Sequence, residues 1–65
     1  MLTNREIQVL NLISYGNTTK EIARDLYISH HTAEQHRKNI MKKMDAVNTA
    51  QMVRRGFETK VISIN

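Results

Sequence analysis

Polar side chains that can read base pairs recur in one stretch of the chain at intervals of four, three and four residues. On a helix they would form one line, with Glu34 at its edge, and they are His31, Gln35, Lys38 and Lys42. Lysine can donate to guanine O6 and N7, glutamine can bond adenine bidentately, and glutamate can accept from cytosine N4. The pattern therefore predicts base reading by His31, Glu34, Gln35 and Lys38. Because Glu34 and Lys38 are also spaced i,i+4, a solvated surface ion pair is the alternative interpretation.

Positive charge is concentrated in the same stretch. Four of the ten Lys and Arg residues lie between Arg37 and Lys43, and no acidic residue interrupts them. Threonine hydroxyls also lie beside predicted helix N-termini, where unpaired amides bind phosphate well. We therefore predict phosphate contacts, and a salt-dependent affinity, from Thr18, Thr19, Lys20, Thr32, Arg37, Lys42 and Lys43. Helix capping explains Thr18 equally well, and solubility is an equal explanation for any single lysine.

Catalytic and metal chemistry find little support in the sequence. A chain of 65 residues has little interior for a substrate pocket. His31 and His36 are five residues apart, on different helix faces, and the chain has no Cys to complete a zinc site. No Ser/His/Asp set, glycine-rich phosphate loop or pair of inward carboxylates is present. We predict no enzyme activity, no metal and no cofactor.

Composition narrows the class of protein further. A hydrophobic fraction of 40% with mixed charges is typical of a folded module. The formal net charge of +4 favours an anionic partner, without choosing between nucleic acid and an acidic membrane surface. No apolar run approaches the roughly 20 residues of a membrane span, and no signal-peptide core is visible. We expect a cytoplasmic protein that does not enter a membrane.

The helices that must position these residues begin at recognisable caps. Residues 3–6 and 18–21 are capping boxes, in which a Thr hydroxyl and a Glu carboxylate satisfy each other's backbone amides. The first helix is predicted to run to about Tyr15, where Gly16 can adopt the left-handed conformation that ends helices. The second is predicted to be about two turns long, which is too short to be stable alone.

The third and fourth helices follow the same logic. Residues 27–28 form a tight connector, after which Ser29 is placed to cap a longer helix that runs to about Met44. Residues 48–51 form a last box, and the helix that follows should fray near Thr59. A short helix joined by a tight turn to a longer, more basic one is typical of a helix-turn-helix. The sequence thus predicts an all-α, four-helix domain over residues 1–65 that contains a helix-turn-helix.

Apolar residues at helical spacing predict which faces are buried. On the third helix, Arg37 interrupts the apolar stripe. An arginine on an inward face must either extend its guanidinium to the surface or find an acceptor, and Glu6 on the inward side of the first helix is a candidate. The predicted inward residues are Val9, Leu10 and Ile13; Ile22, Ala23 and Leu26; Ala33, Ile40, Met41 and Met44; and Ala50, Val53 and Phe57.

Several spaced motifs, taken in order, resemble the LuxR/GerE-type helix-turn-helix domain. They are Leu2-Thr3-x-Arg5-Glu6, Val9-Leu10-x-Leu12-Ile13, Gly16, Lys20-Glu21-Ile22-Ala23, Ile28-Ser29-x-x-Thr32 and His36-x-x-x-Ile40. Such domains are the DNA-binding output modules of bacterial transcription regulators. The resemblance implies that the third helix is the recognition helix, with bases read around Glu34, Gln35 and Lys38 and phosphates held by Thr32 and neighbouring basic residues.

The resemblance also implies that two copies bind a two-fold-related DNA site and that the fourth helix forms the dimer contact. Thr49, Met52 and Gly56 lie opposite the predicted inward face of that helix, where small residues would allow close approach, although an ordinary exposed face is an open alternative. Because the chain begins almost at the first motif, we expect any sensory or receiver domain to lie outside it. The expected partners are double-stranded DNA, a second copy and RNA polymerase. The rival hypotheses are a sigma-factor-like promoter-reading module and a protein-interaction module.

Overall fold

The computed structural model describes residues 1–63 and contains four α-helices. They are α1 (Asn4–Ser14), α2 (Thr19–Leu26), α3 (His30–Lys43) and α4 (Thr49–Glu58). The prediction of an all-α fold with four helices is confirmed, and no strand occurs in residues 1–63. The predicted domain of residues 1–65 includes residues 64 and 65, which lie outside the described range.

The helix N-termini follow the predicted side-chain caps. Thr3 Oγ1 accepts from the Glu6 amide at 3.1 Å, while the Thr3 amide donates to Glu6 Oε1 at 2.8 Å. Thr18 and Glu21 form the same pair at the start of α2. Two orphan amides per helix are thereby satisfied locally.

The cap of α4 differs from the predicted box in one respect. Asn48 Oδ1 accepts from the Gln51 amide at 2.8 Å, as expected. Gln51 Oε1, however, accepts from the amide of Val47 at 2.8 Å and not from that of Asn48. Asn48 therefore caps α4 as predicted, but the return bond of Gln51 goes to the residue before the cap.

All four helices end in the same way, although glycine occurs at only one of the ends. At the end of α4, for example, Val61 N donates to Gly56 O at 3.0 Å and Lys60 N to Phe57 O at 3.1 Å. These two bonds are those of a Schellman motif, which requires a left-handed residue just beyond the helix. The left-handed residues are Gly16 (φ 92°), Tyr27 (φ 56°), Asp45 (φ 53°) and Lys60 (φ 62°). Only the first of them was predicted, because only glycine carries a clear sequence signal for this conformation.

One apolar core holds the helices together. Helices α1 and α3 each pack against the other three helices, so α3 is supported on several sides. The buried apolar residues are Val9, Leu10, Ile13, Ile22, Ala23, Ala33, Ile40, Met52 and Ile62, with Leu26, Met41 and Met44 half-buried beside them. The predicted inward faces of α1, α2 and α3 are therefore confirmed.

The predicted inward face of α4 is confirmed only in part, because Val53 and Phe57 pack against the core and Ala50 does not. Met52 and Gly56 are buried, whereas Ala50 is exposed and Val53 and Phe57 are only half-buried. The helix is rotated relative to the prediction, so Met52 and Gly56 are not on the surface where they were expected to meet a second copy.

The chain beyond α4 explains this rotation. After Lys60 the chain turns back and places Ile62 on α4, where a Cβ atom at Gly56 would come within 3.0 Å of the Ile62 side chain and 3.1 Å of Leu10. The small residue at position 56 thus accommodates the protein's own core. Among residues 1–63, no helix combines the length and apolar character that crossing a bilayer requires.

Candidate nucleic-acid interface

Helices α2 and α3 form a helix-turn-helix with a three-residue turn, residues 27–29. Ile22 on α2 and Ala33 on α3 are both fully buried in the core. Ser29 Oγ caps α3 by accepting from the Thr32 amide at 3.0 Å. The second helix of the motif is the longer one, as predicted, and one of its faces is buried.

The opposite face of α3 is exposed along its whole length. Its residues are His31, Gln35, Lys38, Asn39 and Lys42, and all of them are exposed. Ala33 and Ile40, on the buried side, are 0% exposed. Neither Lys38 nor Lys42 forms an ion pair within residues 1–63. The Lys and Arg residues that do so there are Arg24, Lys43 and Arg54. The predicted line of potential base-reading residues is therefore brought together on one surface.

Glu34 lies at the edge of this surface and is held by two neighbours. Thr19 Oγ1 donates to Glu34 Oε2 at 2.9 Å, and His30 Nε2 lies 3.3 Å from the same oxygen. Thr19 Oγ1 and His30 Nε2 are 3.0 Å apart. The alternative expectation of an ion pair between Glu34 and Lys38 is not what the structure has, because the carboxylate turns towards α2.

Three residues predicted to contact phosphate keep hydrogen-bond capacity for a ligand. Thr18 caps α2, and its hydroxyl hydrogen is not used in accepting from the Glu21 amide. Thr32 Oγ1 accepts from Ser29 Oγ at 2.9 Å, which likewise leaves its own hydrogen free to be donated. Lys20 is exposed in the first turn of α2. The hydrogen bond from the Thr18 backbone amide to Glu21 Oε1 holds the pKa of Glu21 below its ordinary value.

Arg37 is half-buried and donates through Nη2 to the hydroxyl of Thr49 at the start of α4. The candidate partner named from the sequence, Glu6, is therefore the wrong one. A guanidinium has five N–H donors, so this bond orients Arg37 without exhausting it. Arg37 and Thr49 help to line a shallow cavity of about 300 Å³, together with Ile13, Asn17, Thr18, Thr19 and Glu34.

Lys43 is the partner of Glu6. Its ammonium donates to Glu6 Oε1 at 2.8 Å, and the Glu6 side chain is only 5% exposed. Burial alone would raise the pKa of Glu6, but hydrogen bonds from Lys43 and Thr3 and the positive charge of Lys43 outweigh it and lower the pKa. Lys43 thus attaches α3 to α1, and its predicted contact with phosphate stays a prediction.

Two contributors to this surface were not predicted from the sequence. One is His30, and the other is Thr49 in its role as the partner of Arg37. The i,i+4 spacing of His30 and Glu34 was available as a signal, since such residues are neighbours on a helix. No sequence signal links Arg37 to Thr49, because their contact depends on how two helices pack.

A helix-turn-helix that presents an exposed, polar and basic second helix defines the class of helix-turn-helix DNA-binding domains. A sequence model described as "Bacterial regulatory proteins, luxR family" matches residues 1–63 of this chain. The chain belongs to that family, so it is the DNA-binding domain of a LuxR-type transcription regulator.

Individual relatives agree with the family. The chain is 44% identical over 63 residues to the uncharacterized response regulatory protein YgeK of Escherichia coli, covering 97% of this chain and 43% of that protein. It is 44% identical over 62 residues to the transcriptional regulatory protein MctR of Rhizobium johnstonii, covering 95% and 29% respectively. The chain thus spans less than half the length of these curated relatives.

Solved structures also share the fold. The response regulator ChrA of a heme-sensing two-component system matches with a TM-score of 0.91 and 26% identity, over 95% of this chain and 31% of that one. VqmA from a Vibrio cholera VqmA-ligand-DNA complex matches with a TM-score of 0.87 and 31% identity, over 100% of this chain and 28% of that one.

Proposed function

We propose that the chain binds double-stranded DNA sequence-specifically, with α3 in the major groove, as the output domain of a larger response regulator in the bacterial cytoplasm. The observation that carries the proposal is the exposed line on α3, whose side chains are oriented away from a buried opposite face. An α-helix fits the major groove, where each base pair presents its own pattern of donors and acceptors. Family membership and the names of the relatives support DNA as the partner.

Base reading and phosphate binding are assigned to different residues in this proposal. His31, Glu34, Gln35 and Lys38 read base edges. Phosphates are held by the groups that flank the line, namely Thr18, Lys20, Thr32, Arg37 and Lys42. Phosphate contacts position the protein without specifying sequence, whereas base contacts specify it.

Selection of bound duplexes from a random pool tests this function. The expected result is a defined consensus. Lys38→Ala should cost about 1–3 kcal/mol at one base pair, whereas Lys42→Ala should weaken all duplexes alike. Equal affinity for selected and random duplexes would refute sequence-specific binding. An affinity for a protein partner that hardly changes with ionic strength would instead support the interaction-module hypothesis.

We also infer that two copies bind together through the outward face of α4. With Met52 and Gly56 buried, the available surface is formed by Val47, Ala50 and Arg54, which are all exposed. Thr49 faces Arg37 and is not part of this surface. A two-fold pair of domains predicts a palindromic consensus.

Affinity for one half-site and for two half-sites, measured for the parent chain and for Ala50→Glu, tests the dimer. The variant should lose the gain that the second half-site provides and keep its single-site affinity. Equal gains in both proteins would place the contact elsewhere. Co-purification with core RNA polymerase, without self-association, would support the promoter-reading hypothesis.

A further inference from the structure

Glu34, Thr19 and His30 form a hydrogen-bonded cluster where the N-terminus of α2 meets the recognition helix. We propose that Thr19 and His30 are positioning residues that fix the Glu34 carboxylate as an acceptor for the N4 amino group of cytosine. Specificity at one base pair then depends on two side chains that contact no base. This inference rests on the proposed function, since it assigns the means by which one residue of the reading surface is oriented.

The donors and acceptors in the cluster form a consistent chain. In the tautomer that carries its hydrogen on Nε2, His30 donates to Thr19 Oγ1 at 3.0 Å, and Thr19 donates its only hydroxyl hydrogen to Glu34 Oε2 at 2.9 Å. His30 Nε2 itself lies 3.3 Å from Glu34 Oε2. The hydroxyl of Thr19 is thereby fully used, so it is not free to donate to phosphate as the sequence pattern predicted.

The arrangement leaves one carboxylate oxygen available. The Thr19 hydroxyl is directed at Oε2 and His30 Nε2 lies on the same side, while the Glu34 side chain remains 44% exposed. An unrestrained glutamate on the recognition helix could adopt many rotamers, several of which would bring its charge near DNA phosphates. The hydrogen bond from Thr19, itself oriented by His30, selects one orientation before DNA binds, which improves both affinity and discrimination.

Cytosine is the base that this acceptor suits. An ionised carboxylate can only accept hydrogen bonds, and the major-groove donors are cytosine N4 and adenine N6. In adenine the N6 donor lies beside the N7 acceptor, which repels a carboxylate. A fixed Oε1 therefore prefers cytosine, whereas a glutamine at the same position can bond both N6 and N7 of adenine.

The test compares four variants of the chain on duplexes that differ at single positions of the selected consensus. Glu34→Gln should change the preference at one base pair from cytosine towards adenine, which identifies the position. Thr19→Val should lower the preference for cytosine at that same position by roughly threefold to tenfold, the factor that one hydrogen bond provides. Thr19→Ser should restore it, and His30→Ala should lower it less because Thr19 still donates.

Thr59→Val is the matched control, since the Thr59 hydroxyl bonds Arg55 O at the far end of α4. It should leave every base preference unchanged, and thermal unfolding of each variant confirms that the folded protein is compared. A uniform loss on all duplexes for Thr19→Val would overturn the proposal and support phosphate binding. A uniform gain for Glu34→Gln, without a change in preference, would overturn it by showing that Glu34 only repels DNA. Both results leave sequence-specific binding intact, whereas a parent chain without any base preference refutes the proposed function itself.

Discussion

Replacing Lys43 by Met tests whether this lysine supports the fold or binds DNA. The substitution keeps the aliphatic stem and removes the ammonium that lies 2.8 Å from the buried Glu6 carboxylate. Leaving one partner of a buried ion pair unpaired costs about 3–5 kcal/mol. Here the Lys43 side chain is 39% exposed, so water screens the pair, and the Thr3 amide still bonds the carboxylate. We therefore expect a loss of about 1–2 kcal/mol in the free energy of unfolding.

For a domain of this size about 1 kcal/mol corresponds to roughly 4–8 °C in Tm, so the variant should melt roughly 5–15 °C lower. Circular dichroism at neutral pH and low salt measures this directly. Lys42→Met is the matched control, because Lys42 is exposed and has no ion-pair partner within residues 1–63. Its stability should change by less than about 0.5 kcal/mol.

The salt dependence of DNA affinity then separates the two roles. Each phosphate contact contributes about 0.9 to the slope of log affinity against log salt. Lys42→Met should reduce the slope by about that amount, whereas Lys43→Met should leave it unchanged at temperatures where the variant is folded. A reduced slope with an unchanged Tm for Lys43→Met would refute our assignment of Lys43 to the fold.

The remaining predictions concern single structural features. The pKa of Glu6 is lowered in the folded protein, so its stabilisation is complete above the ordinary value of 4.5 and is lost as the pH falls through the lower folded-state pKa. Glu6→Gln should therefore flatten the acid side of the stability profile in urea unfolding, and equal acid slopes in both proteins would contradict this. Tyr27→Gly should raise the free energy of unfolding by about 0.5–1 kcal/mol because it relieves the positive φ, whereas Tyr15→Gly, at φ −85°, should lower it. Gly56→Val should lower the free energy of unfolding by about 1–3 kcal/mol through overpacking. Ala50→Val on the exposed face should lower it by only about 0.5 kcal/mol. Equal losses would show that the two faces of α4 do not differ as described.

The helix starts could be predicted from the sequence because their signals are local. The Thr3 and Thr18 boxes each need only residues three positions apart, and their geometry does not depend on other helices. The helix ends could be predicted less well. Tyr27, Asp45 and Lys60 adopt the left-handed conformation without glycine, so hydrogen bonding and the packing of the returning chain outweigh the backbone cost.

The prediction for α4 missed the most deeply buried residues, Met52 and Gly56, because they compete with a second apolar stripe on one short helix. Ala50, Val53 and Phe57 have convincing helical spacing, whereas Gly56 contributes no hydrophobic signal. The deciding residue is Ile62, which lies outside the helix and packs on Gly56 after the chain turns back. The spacing of apolar residues within a helix does not reveal such a contact. A glycine inside a helix is nevertheless a clue that another segment approaches closely.

The exposed face of α3 could be predicted, whereas the partners of its flanking charges could not. Glu6 and Lys43 are 37 positions apart, and Arg37 and Thr49 are 12 apart, so their pairing depends on how the helices are rotated and stacked. The sequence pattern placed both Arg37 and Glu6 on inward faces, which made them candidate partners. The packed fold gives the carboxylate to the lysine two turns further along the same helix.

These pairings divide the positive charge of α3 into separate roles. Lys43 holds the helix against α1, and Arg37 is oriented by α4 in the wall of a shallow cavity. Lys38 and Lys42 remain on the exposed face, one turn apart. Since the middle and the C-terminal end of α3 are tied to different helices, its rotation is fixed, and with it the direction of the side chains proposed to read bases. The two ties therefore hold the exposed face of α3 in one orientation without themselves contributing a side chain to that face.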